Sequence, residues 1–136
     1  MFNYKRTIFL RETDATGVLY FSEQFKLALE AMEAYFSSVN FKLQAMIDKS
    51  DFLMPIVHAD ADFSSPMRVG DAIEIVLSLG KIGTSSFTLN TLIKDASQKQ
   101  IGRVSIVHVC VSKASGKPIT LPEEVKAALL TRALKR

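Results

Sequence analysis

The chain contains no tryptophan and one cysteine, Cys110, so no internal disulfide framework can hold it together. A lone thiol suits a reducing compartment, and a cytoplasmic location is expected. Six glycines and four prolines in 136 residues are too few for a collagenous or low-complexity chain. No stretch approaches the roughly 18 consecutive apolar residues of a membrane span. The first six residues, Met1 to Arg6, reach charge before any apolar run, so neither export nor a membrane anchor is expected. Charge of one sign is lacking as well: 17 basic against 14 acidic residues leave +3. That excess lies in residues 101–136, which reads as a solvated face and not as a nucleic-acid surface. A Gly-x-Ser-x-Gly elbow is missing, and Gly116-Lys117-Pro118 lacks the upstream glycine and following hydroxyl of a phosphate loop. His108 and Cys110 have only His58 as a further nitrogen donor, too few for a zinc site, so no metal or other cofactor is expected.

What is present suffices for one domain over residues 1–136: 48% hydrophobic and 23% charged residues match ordinary globular usage. Residues 2–10 alternate as a half-buried strand, and residues 11–17 break it. From Ser22, a candidate N-cap, Phe25, Ala28, Leu29, Met32, Tyr35, Phe36 and Val39 recur at helical spacing, predicting one long amphipathic helix over residues 22–38. A short second helix and a loop are expected within residues 40–52. Strands follow at residues 53–63, 71–79, 87–93 and 101–111, with turns at 80–83 and 95–99; the last is apolar enough on both faces to be central. Leu121-Pro122-Glu123-Glu124 opens a short basic helix. The class is α+β, with one long helix packed on a five-stranded, mainly antiparallel sheet.

Residues 11–22 carry the most chemistry. They place a carboxylate, Asp14, and a glycine, Gly17, just before the long helix, whose unpaired amides and dipole attract developing negative charge. A carboxylate beside an anion hole suits acyl transfer. Equally, Asp14 can cap a turn in which Gly17 supplies a positive φ. The residue pattern alone leaves both readings open.

The run Glu12-Thr13-Asp14-Ala15-Thr16-Gly17-Val18-Leu19-Tyr20-Phe21 resembles the signature loop of hot-dog-fold thioesterases of the 4-hydroxybenzoyl-CoA thioesterase type. Pro55 to Ala59, Asp62-Phe63 with Pro66 and Gly70-Asp71, Lys81-Ile82-Gly83 with Ser85-Ser86, and Arg103 through Val111 fall in the family's order. Together they are most similar to the subgroup that hydrolyses 1,4-dihydroxy-2-naphthoyl-CoA on the way to phylloquinone or menaquinone. One departure stands out: relatives often carry His-Glu-Ala-Tyr-Glu on the long helix, where this chain reads Leu29-Glu30-Ala31-Met32-Glu33.

The resemblance implies a hot-dog fold and an acyl-CoA thioesterase in which Asp14 is the nucleophile or general base. The Phe21 backbone amide would hold the oxyanion, with Gly17 letting the loop approach closely. Val18, Leu19 and Tyr20 become pocket or core residues, Tyr20 on the substrate side. His58 would orient an aromatic acyl group, unless it is simply a satisfied strand histidine. Ser85 and Ser86 would lie near the CoA arm, and Lys81, Arg68 or Lys117 would meet its phosphates. Glu30 and Glu33 are rival carboxylates, but their spacing puts them on the polar side, expected to be solvated or intersubunit. The expected assembly is a homo-oligomer, a dimer of dimers, because one helix covers only one sheet face and leaves an edge. Two alternatives are a general aryl- or short-acyl-CoA thioesterase and a non-catalytic acyl-binding module; the latter has no need of Asp14.

Overall fold

A computed structural model describes residues 1–135. The elements run β1 (Phe2–Thr7), a 3-10 turn (Leu10–Glu12), α1 (Glu23–Ser38), α2 (Leu43–Lys49), β2 (Phe52–Leu53) and β3 (Ile56–Phe63). They continue with β4 (Ala72–Ile82), β5 (Ser86–Lys94), β6 (Gln100–Val109), β7 (Val111–Ser112), α3 (Glu123–Leu129) and a last 3-10 turn (Arg132–Leu134). Five strands form one sheet in the order β1-β4-β5-β6-β3, antiparallel at every step, while β2 and β7 pair separately. The period-two alternation aims Ile73, Ile75 and Leu77, with Phe87, Leu89 and Ile93, at α1, where they meet Leu27, Ala31, Tyr35 and Phe36. Ala28 packs on Val104 and Ile106 of β6.

The helix falls at Glu23–Ser38, but its buried stripe is Gln24, Leu27, Ala28, Ala31, Tyr35 and Phe36; Phe25, Leu29 and Met32 sit half-buried at its flanks. Small residues under the axis let helix and sheet approach, so the larger apolar groups spread to either side. Ser22 occupies the N-cap position without capping. Its backbone is already helical (φ −70°, ψ −22°), whereas a hydroxyl reaches first-turn amides from an extended residue. The Glu23 and Gln24 amides donate instead to the carbonyls of Tyr20 (2.9 Å) and Phe21 (3.3 Å).

Elsewhere the strands differ in detail from the expectation. Leu53 and Ile56 belong to different strands, since Pro55 interrupts the ladder and Leu53 pairs with Val111. Gly80 lies within β4, at a register irregularity between Leu79 and Ile82; an added Cβ would stand 2.6 Å from Nδ2 of Asn90. The turn therefore comes later, at residues 83–85. β5 is the middle strand, and β6 is flanked on both sides one place nearer the edge, a distinction that apolar content cannot make. α3 is itself not basic, carrying Glu123, Glu124 and Lys126, with Arg132 and Lys135 beyond it. It is fastened by the Tyr35 hydroxyl, which donates to the Ala128 carbonyl at 2.5 Å.

Candidate functional site

The segment between β1 and α1 forms a miniature hairpin. Thr13 bridges Leu19, Val18 bridges Arg68, the Asp14 amide donates to the Val18 carbonyl (2.9 Å), and the Leu19 amide donates to Met67 (2.7 Å). Gly17 at its tip has φ +78°, a conformation that costs other residues strain. A Cβ there would meet nothing within 4 Å, so within this chain the glycine serves the backbone angle and no close approach. Below the hairpin, Glu12 is 5% exposed. Its carboxylate accepts the Phe9 amide (2.8 Å) and pairs with the Arg6 guanidinium, whose other arm holds Glu30 at 2.8 and 3.0 Å. The Glu12 carbonyl receives the Tyr20 amide at 2.9 Å, so this cluster ties the loop to β1 and α1.

Asp14 is exposed and its two oxygens differ. Oδ1 accepts the Thr16 hydroxyl (2.6 Å), the Thr16 amide (2.8 Å) and, longer, the Val18 amide (3.4 Å); Oδ2 has no donor among the described residues. The Thr16 hydroxyl, then the Thr16 amide, hold the carboxyl below the ordinary carboxylate range. Asp14 thus closes a turn through Oδ1, as one reading of the sequence expects, and Oδ2 stays without a donor among the described residues. A few residues on, the amides of Phe21 and Ser22 donate to no protein acceptor among the described residues. They stand at the positive end of α1. Phe21 lies against Tyr20 with the rings tilted at 47° (5.0 Å between centroids) and edge-on to Phe63 (6.4 Å), all three exposed. Beside them a cleft of about 270 Å³ opens between Val18, Phe21, Gln24, Phe63 and Met67. A roomier groove of about 970 Å³, between α2 and α3, lies at the far end of α1 and contains neither Asp14 nor Phe21.

The remaining site residues expected from sequence are dispersed. Arg68 adjoins the hairpin through Val18. His58 is exposed on the edge strand β3, with Nε2 3.2 Å from Asp60 Oδ2; Asp60 and Asp62 both pair with Arg103. Ser85 and Ser86 stand at the β4–β5 turn, the end of β4 opposite to the one that pairs with Thr7 and adjoins the Asp14 hairpin, and Lys81 is near them. Lys117 lies in the exposed loop after β7. Glu30 is engaged by Arg6, and Glu33 is exposed. His108 is buried against Phe87, its Nδ1 3.1 Å from the Met54 carbonyl, and burial lowers its pKa. Cys110 is buried, its thiol pushed up to about 11. No group of three or more His, Cys, Asp or Glu among the described residues is placed to hold a metal ion. Sequence reading missed Gln24, whose Nε2 donates to the carbonyls of Asp62 (2.9 Å) and Arg103 (3.2 Å); only its place one turn before Leu27 and Ala28 hinted at burial.

A carboxylate in a turn just before unpaired helix-start amides is a combination suited to acyl chemistry, and residues 9–129, which contain it, match the thioesterase-like superfamily. The chain belongs to that superfamily. Among this thioesterase-like chain's relatives, a protein of Synechocystis called 1,4-dihydroxy-2-naphthoyl-CoA hydrolase is 33% identical over 94% of each chain. A protein of the same description from Trichodesmium erythraeum is 31% identical over 96% of each. The crystal structure of a 1,4-dihydroxy-2-naphthoyl-CoA thioesterase from Synechocystis superposes with a TM-score of 0.91 at 32% identity, covering 96% of both chains. A gentisyl-coenzyme A thioesterase at 23% identity shares the fold, with a TM-score of 0.82 over 93% of this chain and 98% of its own. The hot-dog architecture expected of the thioesterase-like chain is therefore present.

Proposed function

We propose that this chain hydrolyses 1,4-dihydroxy-2-naphthoyl-CoA to the free naphthoate and CoA, with Asp14 as the catalytic carboxylate. The observation that carries the reading is Asp14 Oδ2, a carboxylate oxygen without a donor among the described residues, in the loop that leads to the Phe21 and Ser22 amides, which have no acceptor among them. Oδ2 either attacks the thioester carbonyl carbon or takes a proton from a water that does so. In both cases the carbonyl electrons move onto oxygen, where the Phe21 N–H donates a hydrogen bond to the oxyanion, and they return as the C–S bond breaks and CoA thiolate departs; after direct attack, water then cleaves the acyl–Asp14 anhydride, releasing the naphthoate and restoring the carboxylate. A thioester is activated enough for a carboxylate to suffice without a metal or a triad. Curated relatives described as hydrolases of this naphthoyl ester support the substrate.

The dispersal of His58, Ser85 and Ser86 supports a site completed between copies in a homo-oligomer, a dimer of dimers, and the lone thiol of Cys110 suits action in the cytoplasm. Strand β3 is an open edge with Ile56 and Val57 exposed, and a second copy could pair along it. In that arrangement His58 orients the aromatic acyl group, Ser85 and Ser86 lie along the CoA arm, and Tyr20 walls the pocket. A second reading, a general aryl- or short-acyl-CoA thioesterase, is favoured by Leu29 and Met32, which depart from the helix motif of relatives. Steady-state assays with the naphthoyl ester, benzoyl-CoA and a short aliphatic CoA ester decide between them. The highest kcat/KM should belong to the naphthoyl ester, and preference for the aliphatic ester defeats the assignment.

A further inference from the structure

The backbone hydrogen bonds that close the hairpin do not involve the Thr16 side chain. The backbone closes the hairpin by itself, through the Asp14 amide on Val18 and the Gly17 amide on Asp14 (3.1 Å). Thr16 is exposed, and its hydroxyl makes one hydrogen bond among the described residues, the 2.6 Å bond to Asp14 Oδ1. A carboxylate on an exposed loop can present either oxygen by turning about its terminal torsion, a soft and nearly two-fold rotation. Two donors from one residue on one oxygen, the hydroxyl at 2.6 Å and the amide at 2.8 Å, remove that freedom.

The same turn occurs once more in the chain and differs in one bond. Asp95-Ala96-Ser97 in the β5–β6 turn repeats the pattern, with the Ser97 hydroxyl at 2.7 Å and its amide at 2.9 Å from Asp95 Oδ1. There the third donor, the Lys99 amide, is also firm at 3.0 Å, so three short bonds share the hold on Oδ1. At Asp14 the third donor is slack at 3.4 Å, so the Thr16 hydroxyl carries a larger share of the restraint.

We propose that Thr16 is a positioning residue for thioester hydrolysis: its hydroxyl pins Oδ1 of Asp14 and leaves Oδ2 as the reacting oxygen. This rests on the reading of Asp14 as the catalytic carboxylate. The charged groups on the flanking segments are Arg11 and Glu12 before the hairpin and Arg68 across from Val18; none pairs with Asp14 among the described residues. Thr16 therefore acts on the carboxyl by hydrogen bonding, which holds it below the ordinary carboxylate range.

The test compares Thr16→Val, which keeps shape and backbone amide but loses the hydroxyl, with Thr16→Ser, which restores it, and with Ser97→Ala, which removes the equivalent bond at the remote turn. Using 1,4-dihydroxy-2-naphthoyl-CoA, Thr16→Val should lower kcat about tenfold with little change in KM, the scale of a misoriented reacting group. The acid limb of kcat/KM should move to higher pH, and the Asp14 carboxyl titration followed by carbon NMR should move the same way. Thr16→Ser and Ser97→Ala should behave like wild type. Wild-type kcat with an unmoved acid limb in Thr16→Val overturns the positioning role. Full turnover by Asp14→Asn overturns the catalytic reading beneath it, whereas an inactive Asp14→Asn beside an unaffected Thr16→Val sinks the positioning role alone.

Discussion

The Thr16 donors stabilise the charged form of Asp14, so its carboxylate persists to lower pH than an ordinary aspartate with its value of 3.8. The proposed attack by Oδ2 needs that form. The acid limb of kcat/KM should accordingly fall below 3.8, measured in the pH range where the fold survives; a limb above 3.8 would assign rate control to another group. Asp14→Asn keeps the shape but removes the charge, and should lower kcat by about 10² or more with an unchanged melting temperature. Glu30→Gln, at a residue already held by Arg6, should lower kcat far less. Cys110 gives a separate check. With its thiol raised to about 11 and its side chain buried, it should resist iodoacetamide at pH 8 in the folded protein and react on unfolding.

At the scale of elements, the start of α1 is located by Gln24. Its amide bonds the carbonyls of Asp62 and Arg103, and Gly102 leaves room for it: a Cβ at residue 102 would lie 2.9 Å from Gln24 Nε2 and 3.0 Å from Oε1. Gly102→Ala should therefore cost about 1–3 kcal/mol, read from denaturant unfolding, by displacing a buried hydrogen-bonded side chain. Glu12→Gln should cost about as much or more, since it strips a buried partner from Arg6. These contacts mark where sequence reading ran out. The alternation of β4 and β5 and the helical spacing after Ser22 are local and made the α+β sheet legible. The run from Asp14 to Phe21 is contiguous, so the candidate loop was legible too. Gln24 finds Asp62 and Arg103, and Arg6 finds Glu30, across 24 to 79 residues, while Glu12 meets nearby Arg6 through the bend after β1, and no local periodicity records these pairs. The rotation of the α1 stripe toward Ala28 and Ala31 was hidden for a related reason. More positions of that helix are apolar than one sheet can cover, and packing decides which ones face it.

At the scale of the whole molecule, one buried side-chain nitrogen or oxygen lacks a partner among the described residues, Nε2 of His108. Burial holds its ring below the ordinary imidazole value of 6.5, opposed only by the bond to Met54. The unfolded chain then takes up a proton that the folded one refuses, so stability is complete above 6.5 and is lost as pH falls toward the depressed folded value. The melting temperature should show that decline over mildly acidic pH in wild type, and a His108→Leu variant should show less of it. The separation of Asp14 from Ser85 and Ser86, at opposite ends of β4, has a genetic consequence. If one site takes its carboxylate from one copy and its CoA contacts from another, two crippled chains can repair each other. Unfolding and refolding Asp14→Asn together with a Ser85→Ala/Ser86→Ala chain should give mixed assemblies in which about a quarter of the sites are wild type in every part, and turnover above that of either parent.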